Sequence, residues 1–151
     1  MSRESKIITA YEWGPQATVS HYEAFGWELL SLNGNQITMS RETQNPVYSD
    51  LVKLQAQYEE YVNAYNRLSA PKAPAKPARV SAATCFWTFV CLVIPCAVYV
   101  TVKVMQFKKY KAALEVYNGE VEEYNNKKKE LRAKMEETVL QGRTVFFSKQ
   151  A

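Results

Sequence analysis

The sequence has little of the chemistry from which catalytic and metal sites are built. Its 151 residues include one histidine, His21, and three cysteines, Cys85, Cys91 and Cys96. The histidine has no cysteine or carboxylate at a metal-ligand spacing, and the cysteines match neither a zinc knuckle nor a redox pair. A glycine-rich phosphate loop and a paired-carboxylate motif are also absent. We therefore predict that the protein is not an enzyme and has no catalytic residue, metal site or cofactor.

Charged residues are missing from Ser81–Val102. An uncharged run of this length is long enough to cross ~30 Å of hydrocarbon as a helix. Arg79 and Lys103 flank the run, where long basic side chains reach the lipid headgroups. The sequence thus predicts a transmembrane helix within residues 81–105, with the lipid bilayer as a partner and the cell membrane as the location.

The topology of this segment stays open at the level of sequence. Four basic residues lie within about twenty residues of each end, so the positive-inside rule gives a tie. Residues 1–10 show no signal-peptide pattern, and we therefore favour a single-pass segment with a cytoplasmic N-terminus. One alternative is a re-entrant wedge that turns at Pro95 and keeps both flanks in the cytoplasm. A soluble β-hairpin is the other, because the valines from Val98 to Val104 alternate with other residues.

The net charge of +4 is unevenly distributed along the chain. Residues 1–80 hold eight basic and eight acidic residues, whereas residues 103–151 hold eleven basic and seven acidic ones. A moderate basic excess suits a tail near anionic lipid, while nucleic-acid binding usually requires a denser basic patch. We expect no nucleic-acid partner.

The N-terminal residues 1–45 have the pattern of a small β-α-β-β module. Lys6–Trp13 is rich in strand-forming residues and ends at a Gly-Pro turn, and Gln16–Phe25 is typical of a short helix capped by glycine. Two short apolar runs, Trp27–Leu32 and Gln36–Arg41, flank an Asn-Gly-Asn turn. That arrangement is a strong local signal for a β-hairpin.

This module resembles a known group of small bacterial domains. The opening strand with Tyr11-Glu12, the short helix, the run Gly26-Trp27-Glu28-Leu29-Leu30 and the hairpin ending at Arg41 are similar to DUF4177-like domains, which are built around a Gly-Trp-Glu-Leu-Val motif and have no known function. The resemblance covers roughly residues 6–42, with Leu30 in place of the usual valine. It implies a fold and no chemistry. We expect Trp27 and Leu29 in the module core, with ligand stacking as the alternative role of Trp27.

Two further stretches, residues 46–69 and 106–142, carry apolar residues alternately three and four positions apart. That spacing is typical of a heptad seam, and Gly142 is expected to end the second helix. A stripe this narrow needs a partner helix to exclude water, so we predict coiled-coil helices that bind a second copy or a helical protein partner. The predicted interaction seam consists of Leu51, Leu54, Tyr58, Tyr61, Tyr65, Leu114, Tyr117, Val121, Tyr124 and Leu131.

The fold class that follows is α+β, a small β-α-β-β module and then coiled-coil-type helices flanking one transmembrane helix. A stiff Pro/Ala/Lys linker over residues 70–80 joins the first heptad helix to the apolar segment. Residues 143–151 form a tail in which Thr144–Ser148 is expected to be strand-like.

Two functions from different classes fit this organisation. The first is a membrane-anchored, non-enzymatic scaffold or interaction protein that acts through its coiled-coil helices. The second is a small membrane-associated sensor or regulator whose sheet module binds a ligand or a protein. A sensor is expected to have a pocket beside Trp27, whereas a scaffold needs none.

Overall fold

The computed structural model describes residues 2–79, 81–84, 86 and 93–148. The chain divides into two compact units. The sheet unit consists of Met1–Leu68 together with Lys128–Ala151, and the proline–helix unit consists of Ser69–Lys127. The class is α+β, as predicted, since a three-stranded antiparallel sheet is followed by helices.

The sheet contains β1 (Arg3–Thr9), β2 (Glu28–Asn33) and β3 (Gln36–Glu42) in the spatial order β1-β3-β2. The predicted hairpin is present, because β2 and β3 pair directly and Gly34 lies between them with φ of +60°. A left-handed backbone of this kind is accessible to glycine without steric cost. β2 and β3 shift register between Leu29 and Ser31, which marks a bulge.

Helix α1 (Pro15–Glu23) connects β1 to β2. Pro15 suits the first turn because its missing N–H would have no partner there. β1 ends at Thr9, four residues earlier than the predicted strand, because its pairing with β3 runs out at Thr9 opposite Gln36. The chain then turns into α1, with the Tyr11 N–H bonded to the Thr18 hydroxyl at 3.1 Å.

Helix α2 (Tyr48–Arg67) and helix α3 (Val93–Ser148) complete the described elements. The core of the sheet unit joins the sheet and α1 to one face of α2 and to the C-terminal part of α3. Buried residues of the two long helices include Tyr58, Val62, Tyr65, Met135 and Val139. The seam of α2 is therefore directed into the core of its own chain.

The prediction of a strand-like tail at Thr144–Ser148 is wrong, and so is the prediction that Gly142 ends the helix, since α3 runs to Ser148. A Cβ atom at Gly142 would lie 2.9 Å from both the Ala24 carbonyl oxygen and the Phe25 ring. Gly142 therefore permits close approach to the core rather than a helix end. Phe146 packs beside Gly26, and this contact favours the helix over the local strand preference of the sequence.

Candidate functional site

The end of the proline-rich segment contacts α3 within the proline–helix unit. Lys103 Nζ donates a hydrogen bond to the carbonyl oxygen of Ala78 at 3.4 Å, so the end of the linker lies beside the helix. No helix or strand is assigned to residues 68–79. Pro71, Pro74 and Pro77 are half-buried while the residues between them are exposed. A period of three is that of a polyproline II helix, which places these prolines on one face.

The helix presents a matching stripe within the same unit. Every half-buried residue of α3 in this stretch is three or four positions from the next, and the residues between are exposed. An extended segment rises about 3.1 Å per residue and a helix about 1.5 Å, so the nine steps from Ala78 back to Ser69 match roughly nineteen helical residues. That length covers the stripe from Lys103 to about Val121. The stripe residues are Lys103, Phe107, Tyr110, Leu114, Tyr117, Val121 and Tyr124.

This pairing changes the meaning of the second predicted seam. Leu114, Tyr117 and Val121 are half-buried members of this stripe. From the matching lengths we infer that the proline segment is the apolar cover, where a partner helix was expected from the sequence. The signal was present in the sequence as three prolines spaced three apart. Linker composition alone had indicated only a stiff spacer.

Beyond the contact between Ala78 and Lys103, several of the described side chains are apolar and exposed. Phe86, Val98, Val100 and Val102 lie in this apolar end, and between 40% and 66% of each is exposed. Residues 80, 85 and 87–92 of the predicted membrane segment are outside the described residues. In the part of the chain that is described, none of the helices combines the length and the apolar character needed to span a bilayer.

A polar network connects the sheet to α2 in the sheet unit. Glu59 accepts hydrogen bonds from Lys6 Nζ at 2.5 Å, from Gln55 Nε2 at 2.8 Å and from the Tyr22 hydroxyl at 3.0 Å. The Tyr11 and Tyr22 hydroxyls are 2.9 Å apart and continue the chain of bonds. Burial alone raises the pKa of Glu59, but the bonds from Lys6, Gln55 and Tyr22 outweigh it and lower the pKa below the usual value. Glu59 is thereby held as a carboxylate and stabilises the fold.

The tyrosines of this network are poor acids. Desolvation by burial raises the pKa of Tyr22 and of Tyr58 far above the usual range. His21 bonds the Tyr58 hydroxyl through Nδ1 at 2.8 Å. Burial, with repulsion from Arg143, lowers the pKa of His21 against the opposing effect of Glu136. At neutral pH His21 is therefore uncharged and serves as a packing residue.

Trp27, expected in the core, is 4% exposed, and its indole N–H donates to Gln55 Oε1 at 2.8 Å. The guanidinium of Arg41 lies 4.6 Å from the Trp27 ring centre and 4.9 Å from that of Tyr48. Arg41 therefore occupies the stacking position that a ligand on Trp27 would need. The assignment of Leu29 to the core is wrong, because 42% of Leu29 is exposed on the edge strand β2.

The other predicted seam residues lie in the core of the sheet unit or against it. Leu51, Tyr58 and Tyr65 are buried, and Leu54, Tyr61 and Leu131 pack as partly buried residues against the same cluster. Arg132 Nη2 donates to the Tyr65 hydroxyl at 2.7 Å, which ties α2 to α3 within the unit. The α2 seam is thus covered by the chain's own core.

One cavity in the sheet unit has both polar and apolar walls. Its volume is about 220 Å³, and it is lined by Trp13, Ala17, His21, Arg132, Met135 and Glu136. The indole N–H of Trp13 is buried and has no hydrogen-bond partner among the described residues. Within those residues no group of histidine, cysteine and carboxylate side chains has an arrangement that would hold a metal ion.

Known proteins add no family to these observations. Comparison of the chain with protein-family models, with curated proteins and with solved structures finds no match.

Proposed function

We propose that this chain is a non-enzymatic scaffold protein held at the cytoplasmic face of a cell membrane by Ser81–Val102, which enters one leaflet as a wedge. The observation that carries this proposal is the contact between the two flanks of the apolar segment. Ala78 precedes the segment, Lys103 follows it, and their atoms are 3.4 Å apart. A chain that spans the bilayer once would separate its two flanks by ~30 Å of hydrocarbon.

A second contact, independent of the first, supports the wedge over the single span. Tyr65 and Arg132 also lie on opposite sides of the apolar segment in the sequence, and they are hydrogen-bonded at 2.7 Å inside the sheet unit. This contact supports a topology in which both sequence flanks of the segment lie on one side of the membrane. In the proposal that side is the cytoplasm.

In this proposal the apolar end of α3 is the part that inserts. Val98, Val100 and Val102 on this end are 58%, 40% and 46% exposed. Acyl chains would remove their apolar surface from water, at roughly 25 cal/mol per Å².

A matched pair of substitutions tests the membrane contact. Val98→Arg places a charge in the proposed wedge, and an arginine at the centre of a membrane helix costs about 2.5–3.5 kcal/mol on insertion scales. Val116→Arg is the control, since Val116 is on the same helix and 63% exposed against 58% for Val98. We expect carbonate-washed membranes to retain the wild type and the Val116 variant, and to lose the Val98 variant. Equal retention of both variants would argue against the wedge.

Topology is tested by labelling. After replacement of the three native cysteines by alanine, single cysteines at Ala78 and at Gln106 are exposed to an impermeant maleimide in sealed vesicles of either orientation. A wedge predicts that both positions react only from the cytoplasmic side. Reaction of the two positions from opposite sides would establish a single span and overturn the proposed insertion.

A scaffold also needs a surface for its partner. The α2 seam is covered within the chain, but β2 is an edge strand on which Leu29, Leu30 and Leu32 are exposed. Unpaired edge strands readily accept another strand, and in this proposal a second copy pairs along β2 to form a homo-oligomer. Leu30→Lys should shift light-scattering mass towards the monomer. Ile7→Lys, an exposed position on the other edge strand β1, should not.

The alternative function is a sensor, and the cavity beside Trp13 and Arg132 is the observation that favours it. A small-molecule library screened by thermal shift on the full chain provides the comparison. A compound that raises the melting temperature of the wild type but not of Arg132→Ala would favour the sensor over the scaffold.

A further inference from the structure

The apolar end of the proline–helix unit adjoins a stretch of chain with charges of one sign. From Ser69 to Leu114 the sequence contains no acidic residue. None of the basic residues in this stretch forms an ion pair with a carboxylate among the described residues, and all except the half-buried Lys103 are exposed. The basic residues are Lys72, Lys76, Arg79, Lys103, Lys108, Lys109 and Lys111.

The fold brings these charges from two parts of the sequence to one level. Ala78 and Lys103 are in contact, so distances along the unit can be counted from them. Lys111, the farthest of the helical lysines, is eight residues from Lys103, a rise of about 12 Å. Lys76 is two extended steps from Ala78, or about 6 Å, and Arg79 is the next residue. Lys72 is about 19 Å away by the same count and lies outside this group.

We infer that the six basic residues within about 12 Å of that contact form a collar that binds the anionic headgroups of phospholipids. The collar consists of Lys76, Arg79, Lys103, Lys108, Lys109 and Lys111. This inference rests on the proposed wedge, because insertion of the apolar end to Val102 places Lys103 at the headgroup level. The two flanks carry equal numbers of basic residues, so the positive-inside rule gives a single span no preferred orientation. Equal numbers are expected for a wedge, because both of its flanks meet the same leaflet.

Two features favour a lipid surface over nucleic acid as the polyanion. The collar is continuous with the exposed valines from Val98 to Val102, for which a nucleic-acid backbone offers no apolar counterpart. The collar extends about 12 Å from the contact, about one and a half Debye lengths at physiological salt, so most of its charges lie within reach of a flat anionic surface.

The test is flotation of the detergent-purified full chain with two kinds of preformed vesicle, one of phosphatidylcholine alone and one with about a third phosphatidylserine. A lysine near an anionic membrane contributes about fivefold to partitioning, equivalent to ~1 kcal/mol. We expect wild type to bind both vesicles and to prefer the anionic ones. The double variant Lys108→Gln/Lys109→Gln should lose about twentyfold on anionic vesicles and little on neutral ones. Lys72→Gln is the control and should lose less than about twofold, since Lys72 lies about 19 Å from the contact, more than two Debye lengths away.

The possible outcomes separate this inference from the proposed function. Equal binding of the wild type to both vesicles would overturn the collar and leave the wedge standing. Failure to bind either vesicle would overturn the wedge and the collar together. An equal loss for Lys72→Gln and for the double variant would show that net charge alone acts, and would also overturn the collar. Binding of single-stranded RNA that is stronger than vesicle binding and depends on Lys108 and Lys109 would assign the charges to nucleic acid instead.

Discussion

Removing the side chain of Arg41 should destabilise the sheet unit far more than removing that of Arg3 on the same sheet. Arg41 is 5% exposed, and its Nε and Nη2 donate to Glu4 Oε1 at 2.7 and 2.5 Å. Its Nη1 donates to the Phe25 carbonyl at 3.2 Å and to Gln55 Oε1 at 3.0 Å. Arg41→Ala therefore removes the guanidinium donor from the Phe25 carbonyl and leaves the Glu4 carboxylate with the Tyr48 hydroxyl, at 3.2 Å.

The magnitude follows from the burial of the partners. Breaking a buried ion pair by removing one member costs about 3–5 kcal/mol. The Glu4 side chain is 34% exposed, so water compensates part of that loss. We expect about 2–4 kcal/mol for Arg41→Ala, or a fall of about 4–16 °C in melting temperature for a chain of this length. Arg3 pairs with Glu28 at 3.2 Å, but these side chains are 48% and 66% exposed, and such surface pairs contribute ~0–1 kcal/mol.

The assay is urea unfolding of the full chain in detergent, followed by hydrogen exchange of the β3 amides, which reports on the sheet unit alone. Arg41→Lys adds a discriminating variant, since it keeps the charge but loses the planar fork that lies over Trp27 and Tyr48. An Arg41→Ala variant within about 0.5 kcal/mol of the wild type, or no more destabilised than Arg3→Ala, would refute the reasoning.

Two further predictions concern α3 and α1. Gly142→Ala should destabilise the sheet unit relative to Gly119→Ala, because a Cβ at Gly142 meets neighbouring atoms at 2.9 Å whereas one at Gly119 meets nothing within 4 Å. Gly119→Ala should gain about 0.5–1 kcal/mol of local helix stability in amide exchange, and a similar gain at Gly142 would contradict the close packing. His21 should make stability depend on pH, because burial and Arg143 lower its folded pKa below the unfolded value of about 6.5. Its contribution is complete above about pH 6.5 and is lost as the pH falls from there towards the folded pKa, so His21→Gln should flatten urea midpoints between pH 7.5 and 5.5, and an unchanged slope would exclude this role.

The local elements of the sheet unit were predictable because their signals are strong and short-range. The Asn-Gly turn at Gly34 predicts the β2–β3 hairpin, and the structure contains it. Strand ends were less predictable. β1 ends at Thr9, opposite the first residue of β3, and no residue between Ala10 and Trp13 signals that end in the sequence. The tail after Gly142 was mispredicted because its strand preference is local, whereas the contact between Phe146 and Gly26 that holds it helical is tertiary.

The sequence predicted the apolar stripes of the two helices but not what covers them. Periodicity says that Tyr58 and Tyr65 share a face and that this face must be covered. It does not say whether the cover is another chain or the remainder of the same one. In the sheet unit the cover is the chain's own core. This was not predicted, because residues 1–45 and 46–69 were expected to form separate domains. Trp27 and Leu29 differ for a related reason, because Leu29 is on the edge strand β2, whose residues are all exposed, whereas Trp27 precedes that strand.

The spacing of the prolines matches the spacing of the apolar residues on the helix, and this match can be recognised in a sequence. An extended polyproline segment advances about twice as far per residue as an α-helix, so its prolines, three apart, advance about 9 Å while helical stripe positions, seven apart, advance about 10.5 Å. Pro77, Pro74 and Pro71 therefore advance nearly in step with every second turn of the Phe107–Val121 stripe. An intramolecular cover of this kind needs only half as many residues as a second helix. Its prolines lack N–H groups, so its backbone has fewer donors to leave unpaired beside an apolar stripe. A heptad stripe accompanied by prolines at every third position over half its length is thus better interpreted as a hairpin than as a coiled coil. In this chain the hairpin places Ala78, just before the apolar segment, beside Lys103, just after it. A single span would hold these two residues on opposite sides of the bilayer.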